Sequence, residues 1–365
     1  MRVLHIIARM NVGGTATYIA NLIHGLEKLG AGNLLVMGNV PKGEAEDSII
    51  NTLKYQRIES LSRELSFSKD RKARKEIEKV IESFKPDLIH THTFKAGLLV
   101  RLRKRDIPVI HSFHGHHLYD PEFGFLKRNV LNIIERLLAP RATRFITIGM
   151  KVRDELLEVG LGRAKQYLSI APGIAPLELV DGSSLRKRFG FGQDETLVLW
   201  LGRFTQVKRP DKVIEIARLL PKIRFVMAGG GELLDKVKID APRNVTFVGF
   251  QDKNEMWSIA DIALCTSDSE GMPLSLIEAQ MAGVPVVSTD VGSVSEILED
   301  GVTGYLASKD IKDLAAKIEI VIEDLESGAK LGKAAKLRAE REFSSSVMAD
   351  AHLGLYREVL DKVTE

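Results

Sequence analysis

Two glutamates, Glu270 and Glu278, are separated by seven residues in Glu270-Gly-Met-Pro-Leu-Ser-Leu-Ile-Glu278. An apolar run, Ile262–Cys265, leads into the polar turn 267–270. A helical pattern then begins near Pro273, and a second apolar run follows at 285–288. The stretch reads as strand, turn, helix, strand. Glu270 is thereby set just ahead of a helix N-terminus and Glu278 about two turns inside it. The Ser275, Leu276 and Ile277 amides fall in the first turn, where backbone N–H groups lack intrahelical acceptors and can receive a phosphate. A crevice that accepts from hydroxyls and donates to phosphate suits a sugar nucleotide. A capping Glu270 and a surface Glu278 would produce the same letters.

Further cations and glycines gather at other strand ends. Arg203 and Lys208 both follow the apolar run Leu197–Leu201, in Gly202-Arg-Phe-Thr-Gln-Val-Lys-Arg-Pro210. Leaving one strand end together, they are suited to converge on a diphosphate whose charge grows as a glycosidic bond breaks. Near the N-terminus, Gly13 and Gly14 join a strand at 2–8 to a helix at 16–29, and permit a tight turn and close approach of a ligand. The spacing is not G-x-G-x-x-G, and no acidic residue is placed for a nicotinamide ribose. Imidazoles at 90, 92, 111, 114 and 116 lie near the ends of two more strands, at 86–90 and 109–112. No cysteine accompanies them and no H-E-x-x-H helix appears, so a metal centre is not expected. A neutral His114 beside Gly115 is expected to exchange a hydrogen bond with a sugar hydroxyl.

The elements that carry these residues alternate strand and helix twice over. A chain of 365 residues exceeds the usual size of one core, so two domains are expected. The Pro/Gly-rich Ala171-Pro-Gly-Ile-Ala-Pro176 reads as the linker. It divides a Rossmann-like domain at 1–170 from another at 171–345, and a last helix within 346–365 is expected to cross back to the first. Helices are also expected from Ser68 and across 123–138. No apolar run approaches 18 residues and the N-terminal run is too short for a signal peptide, so a cytoplasmic protein is expected. The single Cys265 excludes an intrachain disulfide and reads as core.

Net charge is +3, but residues 1–170 hold 28 Lys+Arg against 18 Asp+Glu, or +10, leaving 24 against 31, or −7, for the rest. That split suggests an anionic partner for the first domain. Two basic clusters, at 69–75 and 101–105, are read as solvated faces rather than as lipid-binding patches. Aromatic residues are 6% of the chain and do not interleave with the basic ones, so nucleic acid is not expected.

Taken with Ala282-Gly-Val-Pro-Val-Val287, the glutamate pair closely resembles the large family of retaining glycosyltransferases of GT-B fold. This is the family-4-like "glycosyl transferases group 1", which includes bacterial polysaccharide mannosyl-, glucosyl- and N-acetylglucosaminyltransferases. The resemblance covers nearly the whole chain. It implies an α/β protein of two facing Rossmann-like domains with a deep interdomain cleft, the first for the acceptor and the second for a nucleotide-sugar donor. It implies that Glu270 contacts the donor sugar, Glu278 the ribose hydroxyls, and Arg203 and Lys208 the diphosphate. It gives Gly14, beside Gly13, a closing contact with phosphate, His114 a place at the sugar, and Gly249, Phe250 and Gln251 the border of the base. Gly271, Met272, Pro273, Leu274, Ser275 and Leu276 then line the donor. The chain departs from the family pattern in two places: Ala175 stands where an acidic residue is often found, and Met272-Pro273 where an aromatic and a glycine are common.

The expected reaction moves a hexose or N-acetylhexosamine from a nucleoside-diphosphate sugar, UDP-linked or GDP-mannose, to a sugar, lipid-linked or other hydroxyl acceptor. Cell-envelope or exopolysaccharide synthesis is the expected setting. The chain contains no Asp-x-Asp, so protein cations are expected in place of a metal, and no cofactor is expected. The +10 charge fits peripheral contact with an anionic membrane. Rival readings are a non-hydrolysing nucleotide-sugar epimerase and a non-catalytic saccharide-binding protein.

Overall fold

The chain divides into two compact units, one of Met1–Ala175 with Ser345–Glu365, the other of Pro176–Ser344. The computed structural model describes residues 1–115 and 124–364.

In the first unit, β1 (Arg2–Ile7) leads into α1 (Gly14–Lys28), β2 (Gly32–Met37), a short β3 (Tyr55–Arg57) and α2 (Phe67–Phe84). Then follow β4 (Leu88–His92), α3 (Thr93–Arg101), β5 (Val109–Phe113) and α4 (Phe125–Leu138). The alternation closes with β6 (Arg144–Thr147), α5 (Met150–Glu158) and β7 (Tyr167–Ser169). All strands pair in parallel, in the order β3-β2-β1-β4-β5-β6-β7. Parallel pairing needs helical crossovers and covers both faces, which is why these strands read as apolar runs. One core layer packs Leu4, Ile6, Val36 and Ile89 against Ile77 and Val80 of α2 and Leu99 of α3.

Register decides which polar residues meet. His5 pairs with His90 across β1 and β4, and His92 with Ser112 across β4 and β5. Paired residues share a sheet face and alternate residues return to it, so His5, His90, His92 and Ser112 line one face. Thr91 and its partner His111 face the other way.

The second unit runs α6 (Gly182–Phe189), β8 (Leu197–Leu201), α7 (Pro210–Leu219), β9 (Arg224–Ala228), α8 (Leu234–Ile239) and β10 (Val245–Gly249). It continues with α9 (Lys253–Ile259), β11 (Ile262–Cys265), α10 (Leu274–Met281), β12 (Val286–Thr289) and α11 (Val294–Ile297). The elements β13 (Gly304–Ala307), α12 (Ile311–Glu326) and α13 (Lys330–Glu342) end it. Its six parallel strands lie in the order β10-β9-β8-β11-β12-β13. The order reverses between β8 and β11, the crevice where open α/β sheets take ligands, and in the first unit it reverses between β1 and β4. The final helix α14 (Ser345–Thr364) belongs to the first unit and packs on α1.

Several local expectations shift. β4 continues through the polar Thr91 and His92, which are fully buried, rather than stopping at His90. α3 begins directly behind it, at Thr93 with φ 65, a left-handed backbone uncommon outside glycine. α6, where only a polar insertion was expected, is capped by the Asp181 carboxylate on the Ser183 and Ser184 amides. The basic cluster at 101–105 is not a free patch: Arg101 is buried with its Nη2 donating to both oxygens of Glu135, and Arg105 pairs with Glu78 through two nitrogens. The expected helix at 123–138 begins at Phe125, and Phe123 lies outside the described residues, as do His116 and most of the loop before it. Among the described residues no helix is long and apolar enough to cross a membrane.

Candidate functional site

The loops leaving β8 and β11 meet at the second unit's switch point. Lys208 Nζ donates to Glu270 Oε1 at 2.5 Å, and Ser267 Oγ donates to the same oxygen at 2.6 Å. Burial presses the Lys208 ammonium toward its neutral form. The charge and hydrogen bond of Glu270 outweigh it, and the pKa stands above that of an ordinary lysine. The nearby positive charge of Arg203 opposes protonation of Lys208. Arg203 is exposed, with no side-chain hydrogen bond or ion pair among the described residues. Two cations kept charged side by side, one of them unpaired, make a ready site for a multiply charged anion.

The backbone here is over-determined. Arg209, at φ 50, pairs with both Asp211 and Asp268, and Lys212 reaches Asp268 at 3.3 Å. Asp268 also donates its amide to the Val207 carbonyl, so the β8 and β11 loops are tied together by charge and by main chain. Gly292 lies under the turn with φ +55, and a Cβ there would sit 1.7 Å from the Glu270 carbonyl oxygen. Ser293 donates its amide to the Gly271 carbonyl and fixes the far side of the same turn. Only glycine lets the β12 exit approach this closely.

Beyond the turn, α10 starts at Leu274, one residue after Pro273, whose backbone is extended. Leu274 and Ser275 precede the first intrahelical acceptor, whereas the Leu276 amide, expected to be free, already bonds the Pro273 carbonyl at 3.1 Å. Met272, Pro273 and Leu274 are buried and Gly271 half-buried. Glu278 is buried, not a surface residue: it accepts from Lys253 Nζ at 2.7 Å and from Trp257 Nε1 at 3.4 Å. Two carboxylate oxygens offer about four lone-pair sites, so acceptor capacity remains for hydroxyls.

Glycines bring the β9 and β10 exits alongside. Gly229, at φ +126, stands where a Cβ would be 2.0 Å from the Gly202 carbonyl oxygen, and its amide donates to Gly249 at 2.7 Å. The Gly230 carbonyl accepts from the Phe204 amide and so holds the loop that bears Arg203. Phe250 is 76% exposed, with its ring close to Gly230, and Gln251 turns its amide back to the Val248 carbonyl. Cys265 is buried, and burial raises its thiol pKa, consistent with a core residue.

The first unit is different in kind. Gly13 is the N-cap of α1, at φ 152, and Gly14 its first residue, two positions before the expected start. Of the expected imidazoles, the structure brings together His90, His92 and His114, and adds His5 of β1 and His352 of α14. His111 is excluded, on the opposite face against Thr91. The cluster is bonded pairwise: His92 to His5 at 3.2 Å, His92 to His114 at 3.1 Å, His5 to Asn33 at 3.2 Å. His90 contacts Ser112 and Tyr356 at 2.6 and 2.7 Å. Burial lowers the pKa of every one, His5 and His114 to about 3 and His352 to about 4. His5, His90 and His92 each bring a ring nitrogen within 4.8 Å of the others, close enough for a shared metal ion. All six of their ring nitrogens already have hydrogen-bond partners, which such an ion would have to displace.

Sequence reasoning missed Lys253, Arg209, Lys212 and Asp268, which hold the carboxylates and loops, and His5, His352 and Asn33. It also missed two buried hydroxyls, Thr205 Oγ1 and Ser293 Oγ, that have no hydrogen-bond partner among the described residues. The Asp-x-Glu of Asp268-Ser-Glu270 was a readable signal for one of these; His5 and His352 carried none.

Comparison with known proteins covers both units. Residues 12–172 match the family described as Glycosyltransferase Family 4, and residues 182–338 that described as Glycosyl transferases group 1. The galactosyltransferase of Escherichia coli that takes UDP-Gal to GlcNAc-diphosphoundecaprenol is 24% identical over 288 residues, 72% of this chain and 73% of that one. A Bacillus subtilis (strain 168) protein, provisionally named glycosyltransferase EpsD, is 27% identical over 80% of this chain and 81% of its own. Among solved structures, sucrose-phosphate synthase of Thermosynechococcus elongatus superposes with a TM-score of 0.86 at 20% identity, covering 99% of this chain and 100% of that one. HepE of Anabaena, solved with UDP-glucose, gives 0.82 at 19% over 99% and 100%. Two parallel sheets, each flanked by helices, make the fold GT-B.

Proposed function

We propose that this chain, related over both units to GT-B glycosyltransferases, moves a hexose or N-acetylhexosamine from a UDP-sugar to a hydroxyl acceptor with retention of anomeric configuration. The observation that carries the reading is the Lys208–Glu270 pair at 2.5 Å with unpaired Arg203 beside it and the start of α10 below. Arg203, Lys208 and the Leu274 and Ser275 amides receive the diphosphate. Donors fixed in place before reaction stabilise the charge that appears as the nucleotide departs. Glu270 contacts the sugar, Glu278 accepts from the ribose hydroxyls, and Gly249–Gln251 border the base. Gly13 and Gly14 are assigned to a phosphate contact, and His114 to a substrate hydroxyl. UDP is favoured over GDP because relatives of similar fold were solved with UDP and with UDP-glucose. Transfer needs no divalent ion, since protein cations carry the leaving charge.

A lipid-linked acceptor fits the first unit. Leu126, Val130, Ile133 and Leu137 form an exposed apolar stripe along α4, at spacings of four, three and four. Leu126 is 80% and Leu137 72% exposed. The surplus positive charge of residues 1–170 complements an anionic bilayer against which such a stripe would rest. Sedimentation with neutral and with anionic liposomes tests this contact, and equal binding to both removes it.

The test of the activity is nucleoside-diphosphate release from UDP-glucose, UDP-N-acetylglucosamine, UDP-galactose and GDP-mannose, with EDTA present. Release from one UDP-sugar is expected. Release only after a divalent ion is restored overturns metal independence, and silence from folded protein across all four overturns the donor assignment.

A further inference from the structure

The histidine cluster of the first unit is directional, and its direction follows from one amide. Asn33 Nδ2 lies 3.0 Å from the Ala31 carbonyl, which can only accept, so the NH₂ group faces Ala31 and Oδ1 faces His5. An oxygen acceptor at 3.2 Å requires His5 to donate from Nε2. A neutral imidazole carries one proton, so His5 Nδ1 is an acceptor, and the His92 Nε2 beside it at 3.2 Å is the donor. His92 Nδ1 then accepts, and His114 Nε2, at 3.1 Å, donates to it. His114 Nδ1 is left as a lone-pair acceptor, without a partner among the described residues. All three rings are neutral because burial holds their pKa values far below neutrality.

We propose that Asn33, His5 and His92 are positioning residues that fix the tautomer of His114, so that its Nδ1 accepts a hydrogen bond from a substrate hydroxyl. The inference rests on the assignment of His114 to such a hydroxyl and adds the direction of the bond. A second chain holds the ring in place. His352 Nδ1 is 2.7 Å from the Met348 carbonyl and must donate to it, which leaves its Nε2 to accept from the Tyr18 hydroxyl at 3.0 Å. The Tyr18 ring, thus anchored, packs edge-on against His114 at 4.6 Å. The origin of the relay, His5 and Asn33, lies deep in β1 and β2, where packing holds both partners. Substrate is therefore met by an acceptor whose orientation is set before binding, which lowers the reorganisation a hydroxyl contact otherwise requires.

The test is nitrogen NMR of the full chain labelled in its histidine rings, assigned by single histidine substitutions. Expected are an Nε2–H tautomer at His5, His92 and His114, and nitrogen–nitrogen couplings across the His114–His92 and His92–His5 hydrogen bonds. An Nδ1–H tautomer at His114, or loss of both couplings, overturns the relay. So does zinc chloride binding stoichiometrically with a joint shift of the His5, His90 and His92 nitrogens. A second arm compares His5→Asn, whose side-chain oxygen still accepts from His92, with His5→Leu, which offers nothing. In nucleoside-diphosphate release from whichever of the four donors the unaltered chain turns over, His5→Leu is expected to lower kcat about tenfold and His5→Asn by less than about threefold. Equal losses in both variants mean that His5 only fills space. If the unaltered chain releases nucleotide from none of the four, the functional reading fails, while the ring nitrogens still decide the relay.

Discussion

The two units use one architecture and opposite electrostatics. Each places its polar residues where the strand order of a parallel sheet reverses. In the first, the residues there are neutral imidazoles joined ring to ring and packed against α1 and α14, all buried except the half-buried His114 at the end of the row. In the second, they are ions: Lys208 with Glu270, Lys253 with Glu278, Arg209 and Lys212 with Asp268. A neutral network is held by hydrogen-bond geometry and tolerates no extra proton. An ionic one stays charged under load, can exchange a carboxylate for a phosphate, and is screened by salt. The contrast separates a rigid scaffold that orients from a charged crevice that binds.

Acid should break the symmetry most strongly. The histidine pKa values are lowered from 6.5 to about 3 or 4 in the folded chain, so the unfolded chain binds more protons. The stability of the first unit is therefore complete above pH 6.5 and lost as pH falls toward 3. Each histidine removes about 1.4 kcal/mol per pH unit over that window, several kcal/mol in all. Both tryptophans, Trp200 and Trp257, lie in the second unit and report on it alone. Far-ultraviolet circular dichroism should thus fall on acidification before tryptophan emission changes; simultaneous loss would erase the distinction.

In the second unit, Lys208→Ala should lower nucleoside-diphosphate release by about 10² to 10³, while affinity for the free nucleoside changes by less than about threefold. Part of that loss comes from leaving Glu270 without its cation. Matching small effects on both quantities would remove Lys208 from the diphosphate. Gly292→Ala acts on the same turn through the backbone alone. An alanine methyl there would stand 1.7 Å from the Glu270 carbonyl oxygen, so the turn must move, and strain of about 1 to 3 kcal/mol adds to the left-handed φ. A clearly lowered melting temperature with reduced turnover is the expected result, and an unchanged melting temperature would show that the turn can yield.

Much of the second unit was legible because its signals are local. The glutamate spacing and the cations after β8 each follow directly from an apolar strand, and strand ends are where parallel sheets gather function. The first unit was less legible. The strand expected at 86–90 in fact continues through His92, because buried histidine and exposed histidine are the same letter, and only register shows that His92 faces His5 and His111 does not. The basic run at 101–105 looked like surface, yet Arg101 is buried against Glu135, a partner 34 residues away.

By itself, then, the sequence determined the alternation of elements, the two-unit plan and the carboxylates and cations of the second crevice, since each depends on neighbours in the chain. Tertiary structure alone decided which imidazoles meet, that Glu278 is buried against Lys253 and Trp257, and that α14 carries His352 back to Tyr18. Those contacts span up to 334 residues. Pairing across such distances is set by strand order and register, which no local pattern encodes.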